Sequence, residues 1–382
     1  MTFLFALWGC SFTAQISNLG ATFDDSRHET EIENPNPSDN DSNQTLKFSF
    51  KSHHKSDVKN RVLFENQTWN LTGYCQSQKG QVLITGDINQ PIAVDCIKQT
   101  FSVTINYARQ TPYFTNIQGL SQYIRVTQGD LYDETIIYKT NSSRSPPVFI
   151  SNKEQFLSMD LSKDNILTQD IDFLEVDQPN TSNFKPIMPK NPWTFTGTLE
   201  GDNHVLLNLQ LQSTDENVCL FPFINGGVIK NLTLEGVELS SLNNSKSTAK
   251  ISALVCTAIG LKPFLLENIF LQGSLFSDNE LATIGGLIAE SYTGEIKKIG
   301  VQLLISGKAK TVGGVIGIAE NTFMENLFSK TNIHMTNSTQ ETVGGLIGTL
   351  KSSGLFKSSL VNSLYWGTLE GNQNVGGLVG SL

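Results

Sequence analysis

This 382-residue sequence predicts an all-β chain: a small β-sandwich followed by a parallel β-helix, a solenoid of stacked coils. Three observations predict it. A Gly-Gly phrase recurs near the C-terminus, as "TIGGLIAE" from Thr283, "TVGGVIGI" from Thr311, "TVGGLIGT" from Thr342 and "NVGGLVGS" from Asn374. The first glycine of each pair stands at 285, 313, 344 and 376, so the steps are 28, 31 and 32 residues. Self-similarity at a period between about 20 and 50 residues marks stacked repeats. Secondly, short alternating apolar runs separated by Gly, Asn, Asp and Pro fill the region before the repeats, which is the pattern of half-buried strands. Thirdly, charged residues are only 16% of the chain, against about 25% in ordinary soluble proteins. Asn, Ser, Thr and Gly take their place, a composition suited to an extracellular β-rich protein.

The elements follow in chain order. "MTFLFALWGCS" is an apolar run ending at Gly9-Cys10, short and without a preceding Lys or Arg. "LWGC" resembles a bacterial lipobox. That resemblance makes residues 1–22 a signal-like segment and implies lipidation of Cys10, hence attachment to a membrane through a lipid anchor. Residues 23–45 contain "DDSRHETEIENPNPSDNDSNQ", whose few apolar side chains cannot offset the entropy of ordering. The expectation is a disordered acidic linker. No run of about 20 apolar residues offers a membrane span.

Residues 46–140 carry "TWNLTGYC", "GQVLITGD", "IAVDC" and "FSVTINYA", read as strands of the sandwich. The stretch from "LTGYC" to "FSVTI" resembles bacterial immunoglobulin-like domains, in which one Cys ends a strand and a second ends a later one. The resemblance implies a Cys75–Cys96 disulfide, worth about 3 kcal/mol by loop-closure entropy. Setting Cys10 aside leaves an even number of cysteines, which suits export without fixing any pairing.

Residues 148–382 are the solenoid. Ser151 stands three residues before Glu154, a capping box ahead of Phe156, Leu157 and Met159, and predicts a short helix over about 151–159. "NILTQDIDF" and "WTFTGTLEGDNHVLLNLQL" then resemble the start of GLUG-repeat regions, with Glu200 where that family has Asp and Asn203 where it often has Gly. The Gly-Gly phrases complete the likeness to GLUG repeats of bacterial surface proteins and of the N-terminal region of immunoglobulin A1 protease-type metallopeptidases. The resemblance implies a right-handed parallel β-helix, in keeping with the general handedness of parallel crossovers.

Coils stacked about 4.8 Å apart explain the residue types. Leu287, Val315, Ile316, Leu346 and Ile347 would fill a narrow core. The repeat glycines Gly226, Gly227, Gly285, Gly286, Gly313, Gly314, Gly344, Gly345, Gly376 and Gly377 would let strands bend and neighbouring coils approach. Asn208, Asn231, Asn268 and Asn326 recur at matching places, as expected of a side-chain ladder along the axis, not of ligand contacts. Lys298 and Ser358 interrupt that series. Cys219 and Cys256 are 37 residues apart, but the glycine register shifts them by about three positions, so they are expected as buried free thiols.

Candidate chemistry is sparse. A zinc peptidase needs two His one helical turn apart with a Glu beside the first. His28, His53, His54, His204 and His334 have no such spacing. Asp170, Asp172, Glu200 and Asp202 are the acidic group to weigh for glycan cleavage, but they sit where Asp commonly forms turns. No metal or other cofactor is implied. A net charge of -9 without a basic stripe argues against nucleic acid. The expected function is therefore a non-catalytic, adhesin-like or envelope protein at the bacterial cell surface or outer membrane, otherwise secreted, whose ligand is a surface protein or glycan. The alternative is the N-terminal, non-catalytic portion of a larger exported peptidase or polysaccharide-degrading enzyme. Because the last coil ends on an apolar strand, a partner or further chain is expected to cover its edge.

Overall fold

The computed structural model describes residues 62–382 apart from 65–67, 89, 107–120, 141–146, 175–181, 188–195, 243–247, 337–340 and 354–356. Cys10, the lipobox-like segment, the acidic linker, His28, His53 and His54 lie outside the described residues.

Strands between Val62 and Thr140 form two small sheets. In the larger one, Leu131–Thr140 pairs antiparallel with Ser121–Gln128, which pairs with Val82–Gly86, which pairs with Ile92–Val94; Val62–Phe64 joins in parallel at the far edge. Thr68–Tyr74 and Thr100–Asn106 make the second, antiparallel sheet. Leu71, Cys75 and Phe101 from the second sheet meet Val82, Ile84, Ile124, Val126 and Ile137 from the first in one buried cluster. A Cys75–Cys96 disulfide, with Cα atoms 5.8 Å apart, closes its edge.

From Val148 onward the chain is a parallel β-solenoid of about six turns. Helix α1 (Lys153–Leu157) lies between its first two strands. Its cap is one residue later than expected: Asn152 Oδ1 accepts from Gln155 N at 2.9 Å, and Gln155 Oε1 accepts from Ser151 N at 2.8 Å. This is a variant of the capping box: Asn152 is the cap in place of Ser151, and Gln155 in place of Glu154 reaches back to the Ser151 backbone.

Each turn stacks on the last in register, and columns of like residues result. Leu199, Ile229, Leu266, Ile296 and Met324 form one column through the core, all fully buried. Val218, Ile251, Ile284, Val312 and Val343 form another within a six-stranded sheet that takes one short strand from each turn. Burying a branched aliphatic side chain contributes about 1.5–3 kcal/mol, so these columns dominate the stability of the stack.

Gly285, Gly313, Gly344 and Gly376 lie in one register on that sheet. Their geometry admits no side chain. A Cβ on Gly313 would lie 1.8 Å from Ile316 O, and one on Gly314 would lie 2.1 Å from Gly345 O in the next coil. Glycine is required here by close backbone approach both across the bend and between coils. Gly226 and Gly227 belong elsewhere. They follow Phe221–Asn225 and precede Val228, at a different corner, where Gly226 has φ 75°.

Candidate functional site

Two places on the solenoid bring polar side chains together. The first is the corner column that begins at the junction with the sandwich. The register carries Asn231 to Asn268, Lys298, Asn326 and Asn362 in successive coils. Their φ values are 52°, 53°, 54°, 56° and 48°. The left-handed conformation costs an ordinary residue about 1–2 kcal/mol, and Asn tolerates it because its short amide can bond locally. The recurrent Asn is therefore first a corner residue. It is also a partial ladder, since Asn268 Nδ2 donates to Asn231 Oδ1 at 2.8 Å.

Two members of the expected ladder are corrected. Asn208 is not in the column: it has φ 58° at a separate corner, and its amide donates to Asp172 Oδ1 at 2.8 Å. Ser358 is not the position that interrupts the series. Met324 aligns with Leu360, which moves the match four residues on and places Asn362 in the column. The sequence offers two apolar pairs in "LFKSSLVN", and the later one supplies Leu360, which packs against the core. Lys298 does interrupt the series, and its ammonium joins Lys230 around Glu267, at 3.1 and 2.9 Å. Burial pushes the Glu267 pKa up, but the two lysines outweigh it and hold the carboxyl below its usual value.

The acidic group caps this column. Glu200, fully buried, accepts through Oε1 from Asn231 Nδ2 at 2.8 Å and Asp202 N at 3.1 Å. Asp202 accepts from the buried Tyr138 hydroxyl of the sandwich. Asp170 Oδ1 takes Val205 N at 2.9 Å and faces His204 Nδ1 at 3.0 Å. Asp172 Oδ1 takes Leu174 N at 2.9 Å beside the Asn208 amide. Asp202 and Asn203 have φ 50° and 63°, a conformation that glycine adopts freely. These four carboxylates bind backbone and neighbouring side chains, and Asp202 does so across the junction. Among the described residues, no three His, Cys, Asp or Glu side chains are grouped to hold a metal ion.

Cys219 and Cys256 are joined by a disulfide, with Cα atoms 5.8 Å apart, and both are fully buried. The expectation of free thiols is overturned. The three-position shift is real, because Phe221 pairs with Val255 and Cys219 therefore stacks near Ala253. The bend that follows each short strand folds position i onto i+3, as the Ser252 hydroxyl bonding Val255 O at 2.6 Å shows. The chain turns back at that bend, and the Cys256 sulfur reaches Cys219 despite the shift.

The second place is a groove of about 430 Å³ on the outside of the later coils. Gln272, Gln302, Lys330 and Trp366 stand at corresponding positions of four successive coils along one side. Leu304, Asn332 and Thr368 form the other side, and Gly273, Leu303 and Gly367 the floor. Trp366 is 70% exposed and Leu304 46%. None of these was singled out by the sequence. The one available signal was a second large aromatic in "SLYWGTL": Tyr365 packs against the core, and the adjacent Trp366 falls on the opposite face of the coil.

No known family profile matches the chain. Over 166 residues, 41% of the chain, it is 27% identical to halomucin of Haloquadratum walsbyi, and the matched stretch spans about 2% of that protein's length.

Proposed function

We propose that this chain is a non-catalytic, exported bacterial surface protein, adhesin-like or structural to the envelope, that presents its solenoid face to a ligand. The observation that carries the reading is the pair of buried or half-buried disulfides in separate parts of the fold. Disulfides form and persist outside the reducing cytosol. The partial likeness to halomucin is in keeping with a place at the cell surface. The acidic group supports a non-catalytic role, because its carboxylates are engaged structurally: by Asn231, Val205 and Leu174 within the solenoid and by Tyr138 across the junction. Lipidation at Cys10 would complete the picture by tethering the solenoid through the acidic linker.

The test is labelling of intact producing cells with a membrane-impermeant amine reagent, with and without a Cys10→Ser substitution. Labelling before lysis, with release of the Cys10→Ser protein into the medium, is expected. Labelling only after lysis would refute the surface reading, and unchanged retention of Cys10→Ser would refute the lipid anchor alone.

A further inference from the structure

We infer that the groove beside Trp366 binds an acidic oligosaccharide laid along the solenoid axis. This rests on the surface-display reading and names the class of ligand. Three features carry it. The first is the Trp366 ring, a large apolar plane left 70% exposed on an otherwise polar flank. A pyranose presents an apolar face of C–H bonds that fits such a ring, while its hydroxyls need donors and acceptors around the rim.

The second feature is the set of unused polar groups. Among the described residues, the Gln272 and Gln302 amides and the Lys330 ammonium have no side-chain partner, although all three line the groove. Several lysines of the solenoid are paired, among them Lys230 with Glu267, Lys250 with Glu290 and Lys308 with Asp278, whereas Lys330 faces the groove. Asn332 Oδ1 already accepts from Thr368 N and Oγ1, at 3.2 and 3.0 Å, which leaves the hydrogens of its amide for a ligand. Planar amides suit hydroxyl pairs, and an unpaired cation among them selects a sugar that carries a carboxylate or sulfate.

The third feature is spacing. Coils rise about 4.8 Å each, so the row from Gln272 to Trp366 covers three steps, about 14 Å. A pyranose unit in an extended chain advances by a distance close to the rise of one coil. Successive units can therefore meet successive coils: a stack on Trp366, an acidic group at Lys330, and hydroxyls at Gln302 and Gln272. A globular protein partner would instead need a surface several times larger than this groove.

The experiment is binding of the purified chain to immobilised oligosaccharides of three to six units. The set includes tetragalacturonate, sulfated oligosaccharides and the neutral cellotetraose. Trp366→Ala, Lys330→Gln and, as a control on the sandwich, the exposed Tyr132→Ala are run beside it, with circular dichroism confirming that each remains folded. Acidic probes should bind better than cellotetraose. Trp366→Ala should lose roughly tenfold or more in affinity, as expected for a central aromatic anchor. Lys330→Gln should abolish the preference for acidic over neutral probes, and Tyr132→Ala should change nothing. A blank array, or binding unaffected by both groove variants, overturns the inference. A surface-exposed protein with a blank array would lose the groove assignment alone; a glycan-binding protein found only inside cells would lose the display reading alone.

Discussion

Replacing Asn268 separates the two roles of the corner column. Its amide donates to Asn231 Oδ1, which is nearly buried, and its backbone holds φ 53°. Asn268→Ala removes the donor to a buried acceptor, at a cost of about 1–3 kcal/mol. It also leaves the β-carbon in the left-handed region without the amide that offset its cost of about 1–2 kcal/mol. The sum is about 2–5 kcal/mol. Asn268→Gly loses the same bond but relieves the backbone, against an added unfolded-state entropy of about 0.5–1 kcal/mol. Glycine should therefore be the milder substitution by about 1 kcal/mol, although it removes more atoms. The assay is urea denaturation followed by circular dichroism, comparing midpoints at unchanged slope. If Ala proved as stable as Gly, or more so, the corner would not be imposing the left-handed conformation, and the account of the whole column would fail.

The paired substitution Cys219→Ala and Cys256→Ala should lower stability by about 4 kcal/mol, from a loop whose ends are 37 residues apart. Thiol titration of the unfolded, unreduced protein should find neither cysteine reactive; two titratable thiols there would contradict the bridge. Gly313→Ala forces a Cβ to within 1.8 Å of Ile316 O, so it should cost about 1–3 kcal/mol or more, read as a lowered midpoint of thermal unfolding. Glu341 is fully buried, and among the described residues neither carboxyl oxygen has a hydrogen-bond partner. Burial pushes its pKa up, and the Asn372 backbone offsets only part of that. The folded state therefore holds the proton more tightly than the unfolded one, so its contribution is most favourable at low pH. It is lost as pH rises from the unfolded value of 4.5 through the raised folded value. Glu341→Gln should flatten that part of the stability profile and raise stability at neutral pH; an unchanged profile would count against it.

Much of the solenoid was legible because its constraints act on single residue types. A Cβ at 285, 313 or 344 collides with backbone, so glycine recurs and the register can be counted. Inward columns must be apolar, so Leu287, Val315 and Ile347 announce the core. Errors arose where space and sequence part company. Cys256 reaches Cys219 only because a bend folds the chain onto itself, which position counting does not register. Asn362 was missed because an earlier apolar pair offered a false register. Asn208 shares the left-handed conformation of the column and so looks like a member, though it serves another corner. The groove left almost no trace, since Gln272, Gln302, Lys330 and Trp366 are unlike one another and only stacking makes them neighbours.

The bridge between Cys219 and Cys256 has a mechanical meaning. Hydrogen bonds between coils run along the solenoid axis, so a pull on the C-terminal end loads them one coil at a time, as a zipper and not in shear. Coils beyond Cys256 can peel away in sequence under modest force. The peeling halts where the covalent clamp locks one coil to the next. The coils that carry the groove lie beyond that clamp, and those that meet the sandwich lie before it. A tethered molecule would thus pay out length under load and then hold, keeping its base folded.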